Sequence, residues 1–168
     1  MLYKFQKLNY LIIFLVLLIA FIGAAGLYSA AGGSYNPWAS RHLVRMIILL
    51  SLAVLIALID IKLIYKNAYF IFIVSLLLLF SVELIGVFGK GATRWINIFG
   101  FSLQPSEIVK ITIIIALARF YHDLKFEEIK KIIHLFFPFL ILFLPFILVV
   151  SQPDLGTALS IVILGVLI

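Results

Sequence analysis

The chain has 168 residues, 65% hydrophobic and 12% charged, with a mean hydropathy of +1.29. Soluble domains hold about 45–50% apolar residues, and a chain this short cannot hide such an excess in a core. A water-soluble fold is therefore excluded. The net charge of +6 sits in flanks between apolar runs; it forms no basic face for nucleic acid and fits the inside bias of Lys and Arg around membrane helices. No cysteine is present, which rules out disulfides, thiolate metal sites and thiol redox chemistry.

The first apolar run covers residues 8–28 and follows Lys4 and Lys7. It is longer than the roughly 7–15 residues of a signal-peptide core, so it predicts a retained first helix. Further runs at 43–59, 68–87, 105–121 and 132–150 each approach the about 20 residues needed to cross a bilayer. A sixth begins near Pro153 and stops at Ile168, too short to span. The expectation is an all-α, polytopic helical membrane protein. It would have five complete transmembrane helices and a truncated sixth, forming one membrane domain over residues 1–168.

With the N-terminus cytoplasmic, inner segments carry eight basic residues (Lys4, Lys7, Lys62, Lys66, Arg119, Lys125, Lys130, Lys131) and outer ones four (Arg41, Arg45, Lys90, Arg94). That bias favours this orientation, and it puts Trp38 and Trp95 at the outer interface. Residues 30–42 and 88–104 read as the two longer outer loops, rich in Gly, Ser, Asn and aromatic residues. Gly23, Gly26, Gly32 and Gly33 could allow close helix approach, although no clean GxxxG pair occurs. Pro138 and Pro145 are expected to kink the fifth span.

An ionisable residue at membrane depth is costly, so each is a functional candidate. Pro105 suits a first helical position, and Glu107 then lies in the first turn, near the positive end of the helix dipole. Lys110 follows at i+3 on the same face, and Arg94 could fold back over this helix mouth. Two cations and one anion there would suit an anionic lipid headgroup. The plainer alternative is a dipole-matched Glu107 beside a snorkelling Lys110. Gln152, Pro153 and Asp154 repeat the same grammar at a later helix start, where Asp154 could meet Arg94 or Lys110 or simply match the dipole. Glu83 could pair with Lys90 or Arg94, and Asp60 reads as a solvated inner end beside Lys62. His42, His122 and His134 lack metal-ligand spacing and read as interface histidines. No phosphate loop, HExxH or GxSxG motif is present.

Two stretches, GATRWINIFGFSLQPSEIVK at 91–110 and QPDLGTAL at 152–159, resemble the RodA/FtsW/SpoVE family, also called SEDS. The short N-terminus and the PWASRH loop lie nearer RodA, and the likeness is to its N-terminal half. The resemblance implies a peptidoglycan glycosyltransferase of cell elongation and rod shape in the bacterial cytoplasmic membrane. Such an enzyme polymerises lipid II, the undecaprenyl-pyrophosphate-linked precursor, beside a class B penicillin-binding protein. Arg94 and Lys110 would hold the pyrophosphate, Glu107 would pair with Lys110, and Asp154 would organise the polar network. Gln104, Pro105, Ser106, Gln152 and Pro153 would be scaffold. The family's about ten spans need well over 200 residues, and its catalytic base is expected beyond Ile168, so this chain alone is expected to be inactive. No cofactor is implied with certainty; a divalent cation could help neutralise the leaving group. The competing readings are a flippase for the lipid-linked precursor and a non-catalytic fragment that binds the transpeptidase.

Overall fold

A computed structural model describes residues 8–89, 92–98, 101–125 and 132–168. The chain divides into two compact units, Met1–Ile61 and Lys62–Ile168.

The first unit is a pair of long helices, α1 (Tyr10–Ala30) and α2 (Trp38–Ala57). Asn9 begins α1, its side-chain oxygen accepting from the Ile12 N–H at 3.3 Å, one of the first-turn donors that lack a helical partner. Gly32 and Gly33 carry the chain out of α1 at φ +65° and +84°, angles that L side chains resist. The loop expected over residues 30–42 is shorter than that, because α2 starts directly after Pro37 and residues 38–42 are helical. The Pro37 carbonyl accepts from the Arg41 N–H and the Ser40 hydroxyl, each at 3.3 Å. Of the expected close-approach glycines, Gly23 serves: a Cβ there would lie 3.3 Å from His42 Nε2, whereas Gly26 faces open space. The His42 ring nitrogen sits 3.1 Å from the Ala20 carbonyl oxygen.

The second unit starts with the rest of the short helix α3 (Ile61–Lys66), which Asp60 precedes, and with α4 (Ala68–Ile85). Where the sequence suggested a loop, a small antiparallel sheet follows, of β1 (Val87–Gly89), β2 (Ala92–Ile98) and β3 (Phe101–Leu103). It is ordered β1-β2-β3, with Val87 opposite Trp95 and Asn97 opposite Ser102. The all-α expectation thus holds for the helical body and fails at this hairpin region. Gly86 ends α4 because a Cβ there would lie 2.3 Å from the Val82 carbonyl oxygen. The chain continues through α5 (Pro105–Asp123), a 3₁₀ turn (Ile132–Leu135), α6 (Phe136–Ser151) and α7 (Leu155–Leu167).

Helices α4 to α7 share one core, in which Leu79, Val109, Ile113, Leu117, Val149 and Ile161 are at most 1% exposed. The Ser75 and Thr112 hydroxyls meet inside it at 2.6 Å, and each also donates to its own helix (Ser75 to Phe72, Thr112 to Val109) when the proton is free. This is the polar bond between small side chains that joins helices where lipid supplies no hydrophobic drive. Pro138 does not interrupt α6: it lies in the first turn, where a missing N–H is harmless. Pro145 is internal and frees the Ile141 carbonyl.

Outside that core the large apolar side chains point outward: Ile19, Phe70, Leu84 and Val166 are 69%, 68%, 74% and 81% exposed. Among the described residues, four segments are long and apolar enough to cross a membrane, namely Tyr10–Ala30, Trp38–Ala57, Ala68–Ile85 and Ile133–Ser151. Helix α5 is as long but carries Glu107, Lys110, Arg119 and Asp123, while the 13 residues of α7 rise about 20 Å, less than a hydrocarbon core. The protein is a multi-pass helical membrane protein.

Candidate functional site

The residues singled out at the two Gln-Pro motifs gather at one end of the second unit. Gln152, Pro153 and Asp154 form the junction between α6 and α7. Asp154 caps α7, its Oδ1 accepting from the Thr157 N–H at 3.2 Å and its Oδ2 from the Thr157 hydroxyl at 2.9 Å. Strand β2 delivers Arg94 to the same place. Its Nε donates to the Gln152 carbonyl at 3.1 Å, its Nη2 donates to the Pro153 carbonyl, and its Nη1 lies 3.8 Å from Asp154 Oδ1. Asp154 thus both starts α7 and faces Arg94 rather than Lys110. Gln104, just before α5, donates to Asp154 Oδ2 at 3.3 Å, and the buried Gln152 amide donates to the Leu79 carbonyl of α4 at 3.3 Å.

Pro105 and Ser106 are buried at the start of α5. One turn on, Lys110 Nζ donates to Glu107 Oε1 at 2.9 Å, with the Lys110 side chain 22% and the Glu107 side chain 57% exposed. This i,i+3 pair edges a groove of about 460 Å³ between α5 and α7, whose other walls are Ile108, Ile111, Ile114, Ser160, Ile163 and Leu164. A charged pair over an otherwise apolar slot can meet a molecule with an anionic head and a hydrocarbon tail.

Glu83, for which pairing with Lys90 or Arg94 was one possibility, accepts from the Ser151 hydroxyl at 2.6 Å, with the Leu148 carbonyl at 2.8 Å competing for that proton. Lys90 lies outside the described residues, as do Gly91, Lys4, Lys7, Lys130 and Lys131. His42 and His122 serve packing, the latter edge-on to Tyr65 at 5.3 Å; His134 falls in the 3₁₀ turn. Among the described residues, no three His, Asp or Glu side chains gather as metal ligands.

A second polar cluster, which the sequence suggested only as a flanking charge, closes the far end of α5. Arg119 Nη1 donates to the Tyr65 and Lys66 carbonyls at 3.1 and 2.6 Å, and its guanidinium lies 4.6 Å from the Tyr69 ring centre. Asp123 Oδ2 is 3.7 Å from Arg119 Nε, and its other oxygen accepts from the Tyr65 hydroxyl. That hydrogen bond, with partial desolvation and the carboxylate charge, raises the Tyr65 phenol above its ordinary value against the pull of Arg119. The one clue in the sequence is Arg119 and Asp123 at i,i+4.

The FtsW/RodA/SpoVE family model, described as cell cycle protein, matches residues 6–168. The peptidoglycan glycosyltransferase MrdB of Escherichia coli K12 is 30% identical over 155 residues, which cover 92% of this chain and 41% of MrdB. The peptidoglycan glycosyltransferase RodA of Treponema pallidum is 31% identical over 89% of this chain and 35% of its own length. The rod shape determining protein RodA of Thermus thermophilus superposes with a TM-score of 0.77 at 29% identity, over 92% of this chain and 50% of that one. A chain of a peptidoglycan synthase complex that coordinates polymerization and crosslinking gives 0.78 at 29% identity, over 93% and 45%. The chain spans less than half the length of the curated relatives it matches.

Proposed function

The chain belongs to the FtsW/RodA/SpoVE family, and from that premise we propose that it is the N-terminal part of a peptidoglycan glycosyltransferase of cell elongation. The observation that carries this reading is the Lys110–Glu107 pair on the lip of an apolar groove between α5 and α7. The substrate would be lipid II, whose pyrophosphate matches the cation and whose polyprenyl tail matches the slot. In the transfer, a carboxylate takes the proton of the acceptor sugar hydroxyl, the oxygen attacks the donor sugar's anomeric carbon, and the pyrophosphate lipid leaves. Lys110 offsets charge building on that leaving group. Glu107 aims Lys110, and Arg94, Asp154 and the scaffold residues Gln104, Pro105, Ser106, Gln152 and Pro153 form the wall behind it.

Proton abstraction is assigned to a carboxylate of the family's C-terminal half, and residues 1–168 would contribute the groove that binds the substrate. Glu107 and Asp154 are engaged with Lys110 and with Arg94 and Thr157, which makes them poor ligands for a divalent cation. The membrane would be the bacterial cytoplasmic membrane. The spans would be α1, α2, α4, α5 and α6 as five complete crossings with α7 opening a sixth, all one membrane domain with a cytoplasmic N-terminus. The partner would be a class B penicillin-binding protein, as the likeness to a chain of a synthase complex suggests.

The test is binding in lipid nanodiscs of undecaprenyl-pyrophosphate-linked disaccharide against undecaprenyl monophosphate. Lys110→Ala should weaken the pyrophosphate lipid about tenfold, the scale of one charge-assisted hydrogen bond, and affect the monophosphate less. Equal binding by wild type, Lys110→Ala and Glu107→Ala would sink the assignment.

A further inference from the structure

We infer that Arg94 is a positioning residue, a latch that fixes the α6–α7 junction to the sheet, and that it leaves Lys110 as the one cation of the pair that faces the groove. The inference deepens the reading above by separating two arginine and lysine roles that the motif alone treats as one.

The junction needs such a latch. Helix α6 ends at Ser151 and α7 begins at Leu155, so the carbonyls of Gln152 and Pro153 lie beyond the helical ladder of α6. Backbone acceptors left bare near hydrocarbon are costly. Arg94 supplies donors to both. Nε and Nη2 form one edge of the planar guanidinium, a rigid fork that two successive carbonyls can fill together and that a lysine ammonium cannot reproduce. The remaining Nη1 faces Asp154, whose side chain is 12% exposed and already caps α7. The Nε–Nη2 edge, one of the two that could grip a phosphate bidentately, is therefore occupied by backbone, and Nη1 on the other edge faces the Asp154 carboxylate at 3.8 Å. Lys110 differs: its one partner at 2.9 Å is Glu107, a side chain more than half exposed, and both line the groove.

The latch also links elements far apart in sequence. Arg94 on β2, Gln104 before α5 and Leu79 on α4 all connect to Gln152–Pro153–Asp154. Releasing Arg94 should let the sheet and the head of α7 move relative to each other, and with α7 the Ser160 wall of the groove.

The experiment uses the absence of native cysteine. Spin labels at Asn97→Cys on β2 and Leu155→Cys on α7, both exposed, report the junction in nanodiscs without any substrate. A control pair, Leu77→Cys on α4 and Ile111→Cys on α5, reports the helical core from outward-facing positions. Arg94→Gln and Arg94→Lys should both broaden the junction distance distribution while the control pair stays narrow, and Lys110→Ala should broaden neither. In the binding assay, Arg94→Gln should weaken the pyrophosphate lipid with its salt dependence intact, whereas Lys110→Ala should flatten that dependence. An unchanged junction distribution in Arg94→Gln would overturn the latch. So would broadening at both pairs, which would make Arg94 a support of the whole unit, or a flattened salt dependence in Arg94→Gln, which would make it a phosphate ligand. Failure of wild-type binding would refute the substrate assignment and leave the distance measurement to decide the latch.

Discussion

The two ends of α5 carry the same chemistry put to different uses. At one end Arg94 donates to two successive carbonyls and faces Asp154; at the other Arg119 donates to two successive carbonyls and faces Asp123. The acceptors differ in what they finish. Arg119 completes the C-terminal end of α3, where Tyr65 and Lys66 leave carbonyls without helical partners, and Tyr69 covers its face. Its acid is a neighbour on the same helix, half exposed. Arg94 bridges a strand and a helix junction some 58–60 positions away, onto a carboxylate with little solvent. An exposed i,i+4 pair of this kind adds only a few tenths of a kcal/mol, whereas removing one partner of a mostly buried pair strands the other. Position, not residue type, sets which arginine the site depends on.

That contrast can be broken by mutation. The largest effect is expected from Asp154→Ala, which removes the α7 cap and strands Arg94. Reversible unfolding in micelles should show a loss of about 3–4 kcal/mol, and a loss below about 1 kcal/mol would mean that solvent already compensates Arg94. Next comes Arg119→Ala, at about 1–2 kcal/mol from two hydrogen bonds and the Tyr69 contact. Its signature is local, with faster tryptic cleavage at Lys62 and Lys66; unchanged cleavage would show that α3 does not need the cap.

Between the two ends, Thr112→Val should cost about 1 kcal/mol by deleting the bond to Ser75 across α4 and α5. In a double-mutant cycle with Ser75→Ala the two losses should not add, and strict additivity would show that the hydroxyls are uncoupled. The smallest effect belongs to Tyr65. Because its phenol is raised by its bond to Asp123, the folded state holds that proton to higher pH than the unfolded chain. The contribution is complete below the ordinary tyrosine range near pH 10 and is lost as pH rises through the raised value. Tyr65→Phe should remove a raised phenolate from the absorbance titration, and it should cost its small increment at neutral pH while matching wild type once pH exceeds the raised value; an identical titration curve would deny the hydrogen bond.

Much of this was legible in the residues. Apolar runs of bilayer length placed the helices, and some ends fell closely, since Pro105 stands at the first turn of α5 and α4 begins at Ala68, where the apolar run does. The Glu107–Lys110 pair follows from i,i+3 spacing alone. The sheet did not show, because two strands of three residues flank one of seven, and Gly-containing steps between them look like loop. The retrievable signal was ATRWINI, whose Thr, Trp and Ile favour a pleated surface. Pro138 was overread as a kink because its distance from the helix start was not known.

The sequence by itself determined what depends on neighbours within a turn or on the total apolar length: membrane class, helix positions, the dipole-matched Glu107 and the Asp154 cap. Tertiary structure decided what depends on contacts between distant segments. It chose Arg94 over Lys110 as the partner of Asp154, gave Glu83 to Ser151, and turned Arg119 from a flanking charge into a cap for α3. The reason is physical. A helix repeats its geometry every few residues, so composition fixes it locally, whereas a guanidinium finds two orphaned carbonyls only after packing has brought them within reach.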